Sequence, residues 1–285
     1  MANVLRTLLF DGQVSLTVAD TTALCLTGID RHGYTQGRAF VFAKSLSAMV
    51  FLSSCLKGDN GEISLSIKND GGEIAVSGNR KLYIRGYAEN ERADGAVAGA
   101  QQRAFDDNTA LTIIRDDGYS RPFVGSCAFP QSGEIDEGFE EYYRISEQLP
   151  TRIKTVADLE TEEKFCGVVA LQPLPFADEK TLEKVYATDL QTLLDEVQKK
   201  GVERAVEELF GKDTAVWEPR EAVYQCNCSR EYLQRLLVSL GELQMREIIR
   251  EDGKLHIHCH YCNSDYDFTD KDADEIFAKE KLKNE

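Results

Sequence analysis

The rhythm of apolar and polar positions changes twice along the chain. Residues 62–68 alternate, with Ile63, Leu65 and Ile67 on one side, and residues 81–87 resemble them, so both are predicted as strands. The turn-forming run Asn69-Asp70-Gly71-Gly72 lies between them. Residues 39–56 are apolar nearly all round, the pattern of a central buried helix. A shorter helix is predicted over 136–148, ending before Pro150, with further strands at 110–115 and 166–172. Strands and helices do not alternate regularly, which predicts an α+β domain rather than a doubly wound α/β sheet.

After Pro173 and Pro175 the period becomes helical. Asp178 is placed to cap a helix bearing Leu182, Val185, Tyr186, Leu190, Leu193, Leu194 and Val197. Gly201 interrupts it, and Val202, Ala205, Val206, Leu209 and Phe210 continue the stripe on a second helix that stops at Gly211. That stripe must pack on something, and permanent completion of the first domain's core is the plain reading of it. From Tyr224 a small domain follows. Ser229 caps a helix to Leu240, with Gly241 as its stop, and a second helix covers 242–250. Strands at 254–258 and 265–268 flank the turn CHYC, and Thr269 with Asp272 opens a last helix through Lys281. The expected organisation is a mixed domain at 1–177, a helical linker at 178–220 and a small domain at 221–285. The last has so few large apolar side chains that it needs a staple.

Charge narrows the partners. The 285 residues carry 33 Lys and Arg against 49 Asp and Glu, a formal net charge of −16. A field of that sign repels phosphate backbones, against nucleic acid or anionic membrane as partners. The longest clearly apolar uncharged run, residues 45–56, is too short to span a bilayer. Asp11 interrupts the N-terminal apolar stretch before a signal-peptide core forms, so a cytoplasmic location is expected.

Eight cysteines are then informative, because in a reducing compartment they are thiols, metal ligands or redox switches before they are structural disulfides. Cys25, Cys55, Cys127 and Cys166 are scattered among apolar or small neighbours and read as buried, inert thiols. Cys226-Asn-Cys228 and Cys259-His-Tyr-Cys262 instead pair up across thirty intervening residues. Four soft thiolates suit one tetrahedral zinc ion per chain, in a closed shell with no open catalytic position. The first pair is C-x-C, and cysteines two apart join only through a strained, labile ring. The spacing permits the four sulfurs to hold zinc when reduced and to form local disulfides when oxidised; on spacing alone the plain reading is an inert structural zinc module. His256, His258 and His260 fall on the opposite strand face from Ile257 and Cys259, which argues against them as ligands.

Catalytic patterns are absent: no G-x-G-x-x-G, no Walker loop, no H-E-x-x-H and no G-x-S-x-G occurs. A thioredoxin-type use of Cys259 and Cys262 needs the motif to open a helix, whereas CHYC runs into the strand-like DYDF. A zinc-ribbon nucleic-acid-binding or transcription factor remains as the alternative function. It is opposed by nine Lys and Arg against fourteen Asp and Glu over 221–285.

The C-terminal run CNCSREYLQRLLVSLG with CHYC resembles the heat shock protein 33 family, the bacterial redox-regulated holdase chaperones. DGQV at 11–14, ADTT at 19–22, LKGD at 56–59, SGEI at 132–135 and EYYRISEQLPT at 141–151 extend the resemblance almost end to end. The resemblance implies an α+β N-terminal domain, a metastable helical linker and a zinc module held by Cys226, Cys228, Cys259 and Cys262. It further implies that oxidants form Cys226–Cys228 and Cys259–Cys262 disulfides with loss of zinc and loosening of the linker. The activated protein would then bind unfolding clients without ATP, as a homodimer and not as an enzyme. The four N-terminal cysteines depart from the family pattern.

Overall fold

The computed structural model describes residues 3–211, 215–216 and 219–283. In chain order the first elements are β1 (Val4–Leu9), β2 (Val14–Asp20), α1 (Thr22–His32), α2 (Gln36–Ser54), β3 (Glu62–Asn69), β4 (Gly72–Asn79) and β5 (Tyr83–Asn90). Then come α3 (Ala100–Ala104), β6 (Ala110–Asp116), β7 (Phe123–Ala128), α4 (Ile135–Tyr142), β8 (Arg152–Asp158) and β9 (Phe165–Pro173). The helices α5 (Glu179–Ala187), α6 (Leu190–Lys200) and α7 (Val202–Phe210) precede the short β10 (Ala215–Val216) and β11 (Val223–Tyr224). The chain ends with α8 (Arg230–Leu240), α9 (Glu242–Asp252), β12 (Leu255–Cys259), β13 (Ser264–Phe268) and α10 (Asp270–Lys283). Two compact units result, residues 1–225 and 226–285.

In the first unit a five-stranded sheet, ordered β10-β1-β2-β9-β8, and a six-stranded sheet, ordered β11-β5-β4-β3-β6-β7, enclose α2. That helix is buried from Ala39 to Ser54 save for one half-exposed residue, because both sheets pack on it, and this is why its sequence is apolar on every side. Gly78 of β4 sits where α2 crosses the sheet; a Cβ there would collide with Ser53. β9 is buried at every position, FCGVVALQP, and so lacks the alternation of a one-sided strand. One face meets α2; the other is covered by α5 and α6, while α7 lies over the neighbouring β1 and β2. Val185, Leu190, Leu193, Leu194, Val197, Val202, Ala205 and Val206 close a second core over Leu5, Leu16, Val18, Val169 and Leu171.

The α+β class expected from the sequence holds. Some elements differ in detail. The helix expected from Asp178 to Gly201 is two, because the Asp189 carboxylate accepts from the amides of Gln191 and Thr192 and starts α6 afresh. Tyr186 is exposed and Leu182 half-exposed, so the buried stripe is narrower than the sequence pattern. The helix expected over 136–148 is α4 followed by one wide π-type turn, Tyr143–Glu147. Parts of the 178–220 segment, residues 212–214 and 217–218, lie outside the described residues.

A buried ion pair ties three layers of this unit together. Lys44 of α2, only 3% exposed, lies 3.3 Å from Asp136 of α4. Asp136 also accepts from the Thr155 amide of β8 at 3.0 Å and meets the half-exposed Lys154 at 3.4 Å. Removing the buried cation strands a buried carboxylate, so Lys44→Met should cost about 3–5 kcal/mol in urea unfolding at neutral pH. Lys154→Met, at the solvated edge, should cost less than about 1 kcal/mol. Equal losses from the two variants would contradict this account.

Candidate metal centre

The second unit is built around Leu233, Leu237, Met245, Ile249, Leu255, Phe268, Ala273, Ile276 and Phe277. Its cysteines come from two places. Cys226 and Cys228 lie in extended chain just before α8, whose first turn is capped by the Ser229 hydroxyl accepting from the Tyr232 amide at 3.1 Å. Cys259 ends β12 opposite Ser264, and the turn to β13 is closed by the Cys262 amide donating to the Cys259 carbonyl at 3.2 Å. Asn263 takes a left-handed conformation there, φ 52°, which asparagine tolerates better than most residues.

The four sulfurs all lie within 4.8 Å of one another. Cys228 Sγ is 3.1 Å from Cys262 Sγ, and Cys226 Sγ is 3.8 Å from Cys259 Sγ. A tetrahedron with metal–sulfur bonds of about 2.3 Å has sulfur–sulfur edges of about 3.8 Å, so the cluster has the size of a four-thiolate metal site. The donor set fits a soft, four-coordinate ion such as zinc. Around the sulfurs, the Cys228 amide donates to Cys226 Sγ at 3.5 Å, Tyr266 Oη lies 3.4 Å from Cys228 Sγ, and Ser264 Oγ lies 3.3 Å from Cys262 Sγ. These outer groups orient ligands. Their signal in the sequence was strand alternation, since Ser264, Tyr266 and Phe268 share one face of β13.

Burial pushes the Cys228 and Cys259 thiols up to about 11, and raises Cys262 as well. Without a cation, then, these groups keep their protons at neutral pH. The histidines are engaged elsewhere. His256 Nδ1 is 2.7 Å from Asp267, His258 Nδ1 is 2.8 Å from Asp265, and the His260 ring packs edge-on against His258. No histidine belongs to the four-sulfur group.

The remaining cysteines stay apart from it in sequence and setting. Cys25 and Cys166 are fully buried in the first core; the hydrogen bond with Cys25 and then burial hold the Cys166 thiol far above its ordinary value. Burial raises Cys55 and pushes Cys127 up to about 11. Raised in this way, Cys55, Cys127 and Cys166 keep their protons at neutral pH and are poor nucleophiles.

A family model described as Hsp33 protein matches residues 2–269. The chain is 31% identical over 280 residues to a "33 kDa chaperonin" from Clostridium novyi (strain NT), covering 93% of this chain and 94% of that protein. It is 30% identical over 298 residues to a "33 kDa chaperonin" from Geobacillus sp. (strain WCH70), covering 99% of each. The chain belongs to the Hsp33 family. Its fold is also similar to the crystal structure of the 33 kDa chaperonin (heat shock protein 33 homolog) from Thermotoga maritima, with TM-score 0.77 at 20% identity over 98% of both chains. The resemblance read from the sequence motifs is upheld, and Hsp33 membership makes this protein a chaperone. Among the described residues no helix is long and apolar enough to cross a membrane.

Proposed function

We propose that this chaperone is a redox-regulated, ATP-independent holdase, silent when reduced and active toward unfolding proteins when oxidised. The observation that carries this reading is the meeting of four cysteine sulfurs within 4.8 Å in a small Hsp33-family unit with little other core. When bound, one zinc ion per chain would be held by Cys226, Cys228, Cys259 and Cys262, and would supply roughly 10–16 kcal/mol of apparent binding energy to a unit that lacks it. Oxidation consumes the donors. For each cysteine pair, one hydrogen peroxide would take two electrons from the two thiolates and two protons from solvent, leaving one S–S bond and two waters; two such steps free the zinc ion. With its donors gone the 226–285 unit loses its staple, and the helices α5–α7, acting as a metastable linker, leave the sheet they cover. The apolar faces so released bind clients, with the active form a cytoplasmic homodimer that catalyses no reaction. The zinc-ribbon nucleic-acid alternative finds no support in a segment with net negative charge.

The direct test is light scattering from a thermally unfolding client, with reduced zinc-loaded chain against peroxide-treated chain. Suppression is expected only after oxidation, together with zinc release. Equal activity in both states would overturn the reading.

Three further outcomes follow from the site. Because Cys228 and Cys259 are held up to about 11 without a cation, metal binding at neutral pH must displace thiol protons. Zinc added to reduced, metal-free chain at pH 7 should release about four protons per ion, and its apparent affinity should fall as pH falls. Indicator dye in weakly buffered solution reads this, and release of fewer than about two protons contradicts a four-thiolate site.

The second concerns pairing. The close contacts Cys226–Cys259 and Cys228–Cys262 leave cross-pairing geometrically open. Once the unit opens, short loops close at lower entropic cost. Peptide mapping should therefore find Cys226–Cys228 and Cys259–Cys262, and dominant cross-pairs count against an unfolding step.

The third addresses the latch. Leu193 of α6 is 1% exposed, so Leu193→Ala should cost about 2–5 kcal/mol of local packing. A reduced, zinc-loaded variant should then suppress aggregation without oxidant and show faster proteolysis between residues 178 and 211. Global destabilisation without activity would mean that α5–α7 are permanent core.

A further inference from the structure

A cavity of about 520 Å³ in the first unit gathers Arg6, Arg80, Lys81 and Arg220 beside Tyr83, with the exposed Glu221 as the only acid on its wall among the described residues. The four cations come from separate places. Arg6 lies on β1, Arg80 and Lys81 in the β4–β5 turn, and Arg220 opposite Val4 on the segment that leads into β11. Their arrangement is held by backbone. Arg6 Nη1 donates to the Ser54 carbonyl at 2.7 Å and Nη2 to the Ser15 hydroxyl at 3.3 Å. Arg80 Nη1 donates to the Leu56 carbonyl at 3.0 Å, and Arg220 Nη2 donates to the Arg80 carbonyl.

Carbonyls fix the Arg80 and Arg220 guanidinium groups in place without neutralising them. Among the described residues no carboxylate lies within ion-pair distance of Arg80, Lys81 or Arg220. Elsewhere in this unit arginines do find acids, as Arg38 with Asp94, Arg92 with Asp106 and Arg115 with Glu147. Burial, followed by the neighbouring charges of Arg80 and Arg6, draws the Arg220 guanidinium below its ordinary value. In a chain of net charge −16, cations crowded together at the cost of mutual repulsion mark a place where a counter-charge is received. Fixed guanidinium forks are matched to tetrahedral oxoanions, which accept paired N–H donors.

We propose that this cavity is a binding site for a small phosphate-bearing anion, with Arg80, Lys81 and Arg220 as its principal donors and Arg6 as the charge at its floor. The space exceeds one orthophosphate and suits a diphosphate or a phosphate ester. A bound anion would bridge the β4–β5 turn to Arg220. Arg220 exchanges two backbone hydrogen bonds with Val4, at 3.0 and 3.1 Å, so the anion would clamp the segment 219–225 onto β1 and β5. Ligand binding to the folded state alone raises stability by mass action.

The test is calorimetric titration and thermal unfolding of the full-length reduced chain with inorganic phosphate, diphosphate, ADP and sulfate, each matched for ionic strength with sodium chloride. One site per chain and a rise in unfolding midpoint beyond the chloride control are expected, with diphosphate or ADP tighter than phosphate. ADP tighter than diphosphate assigns the site to phosphate esters, and the reverse to inorganic phosphates; both support an oxoanion site. Arg220→Gln and Arg80→Gln should each weaken binding at least tenfold. Lys81→Gln, whose side chain is exposed and makes no contact that the fold needs, should weaken it by a smaller factor while leaving unfolding without ligand unchanged. Metal content measured after each titration separates binding here from chelation of zinc by diphosphate. Stabilisation no greater than that of chloride, or binding undiminished in Lys81→Gln and Arg220→Gln, overturns the proposal.

Discussion

Among its described residues the 226–285 unit clusters nine buried apolar side chains, and ordering each backbone residue costs about 1–2 kcal/mol. Its polar ties lie mostly at the rim. Arg230 spans three of them: it lies 4.4 Å over the Phe268 ring, donates to the Asp267 carbonyl at 2.9 Å and pairs with Asp272 at 2.6 Å. Solvated pairs of this kind contribute little each. The four sulfurs are different, because they join the chain before α8 to the far turn of the β12–β13 ribbon. Whatever holds those sulfurs together closes a loop of more than thirty residues, and whatever separates them opens it. Under the proposed switch, sensing and folding would reside in the same four atoms.

The first unit supplies what such a switch would act on. The five-stranded sheet has apolar side chains on both faces, and each face has its own cover. Facing α2, the cover is enclosed by a second sheet and by the Lys44–Asp136 pair. Facing outward, it is three short helices whose stripes touch only one side, with the capped break at Asp189 and the glycine at 201 between them and Gly211 ending the last. Short helices joined at such breaks have little stability of their own and depend on the packed stripe. Lifting this layer would uncover Leu5, Leu16, Val18, Val169 and Leu171 as one contiguous apolar surface, which is what binding to unfolded chains needs. The inner cover would stay in place and the sheet would remain a sheet.

The sequence carried some of this openly and hid the rest for physical reasons. Burial on all sides made α2 visible, and paired cysteines made the four-sulfur cluster visible. β2 and β9 are buried on both faces, so they lack alternation; 166–172 was still recognisable as an apolar run, but VSLTVAD of β2 was not. β4 was lost between the two neighbouring strands because GEIAVSGN begins at a turn and carries a glycine where α2 crosses it. β7, an edge strand with Phe123 and Val124 exposed, offers no clear period at all. The cavity of Arg6, Arg80, Lys81 and Arg220 was illegible for another reason: its members are up to 214 positions apart, and only the fold brings them to one place.

The chain path adds a constraint that neither unit reveals alone. The helices α5–α7 do not run directly into the cysteine unit; segment 219–225 intervenes, and it is anchored to the first unit. β11 pairs with β5, the Gln225 amide donates to the Ile84 carbonyl at 2.8 Å, and the Tyr224 hydroxyl donates to the Gly86 carbonyl at 2.8 Å. The Tyr224 ring fills a notch that exists because residue 28 is glycine, where a Cβ would lie 2.7 Å from the ring, and its hydroxyl is 3.0 Å from His32 Nε2. Loss of order in 226–285 thus meets a fixed point before it reaches the covering helices. Under a redox-switch mechanism the strength of that anchor sets how much unfolding is passed on. If it holds, opening of the second unit exposes only its own apolar side chains; if it yields, the layer behind it loses its C-terminal attachment and the sheet face is released. Under that mechanism one chain would offer two apolar surfaces of different size, ordered by the strength of a strap seven residues long.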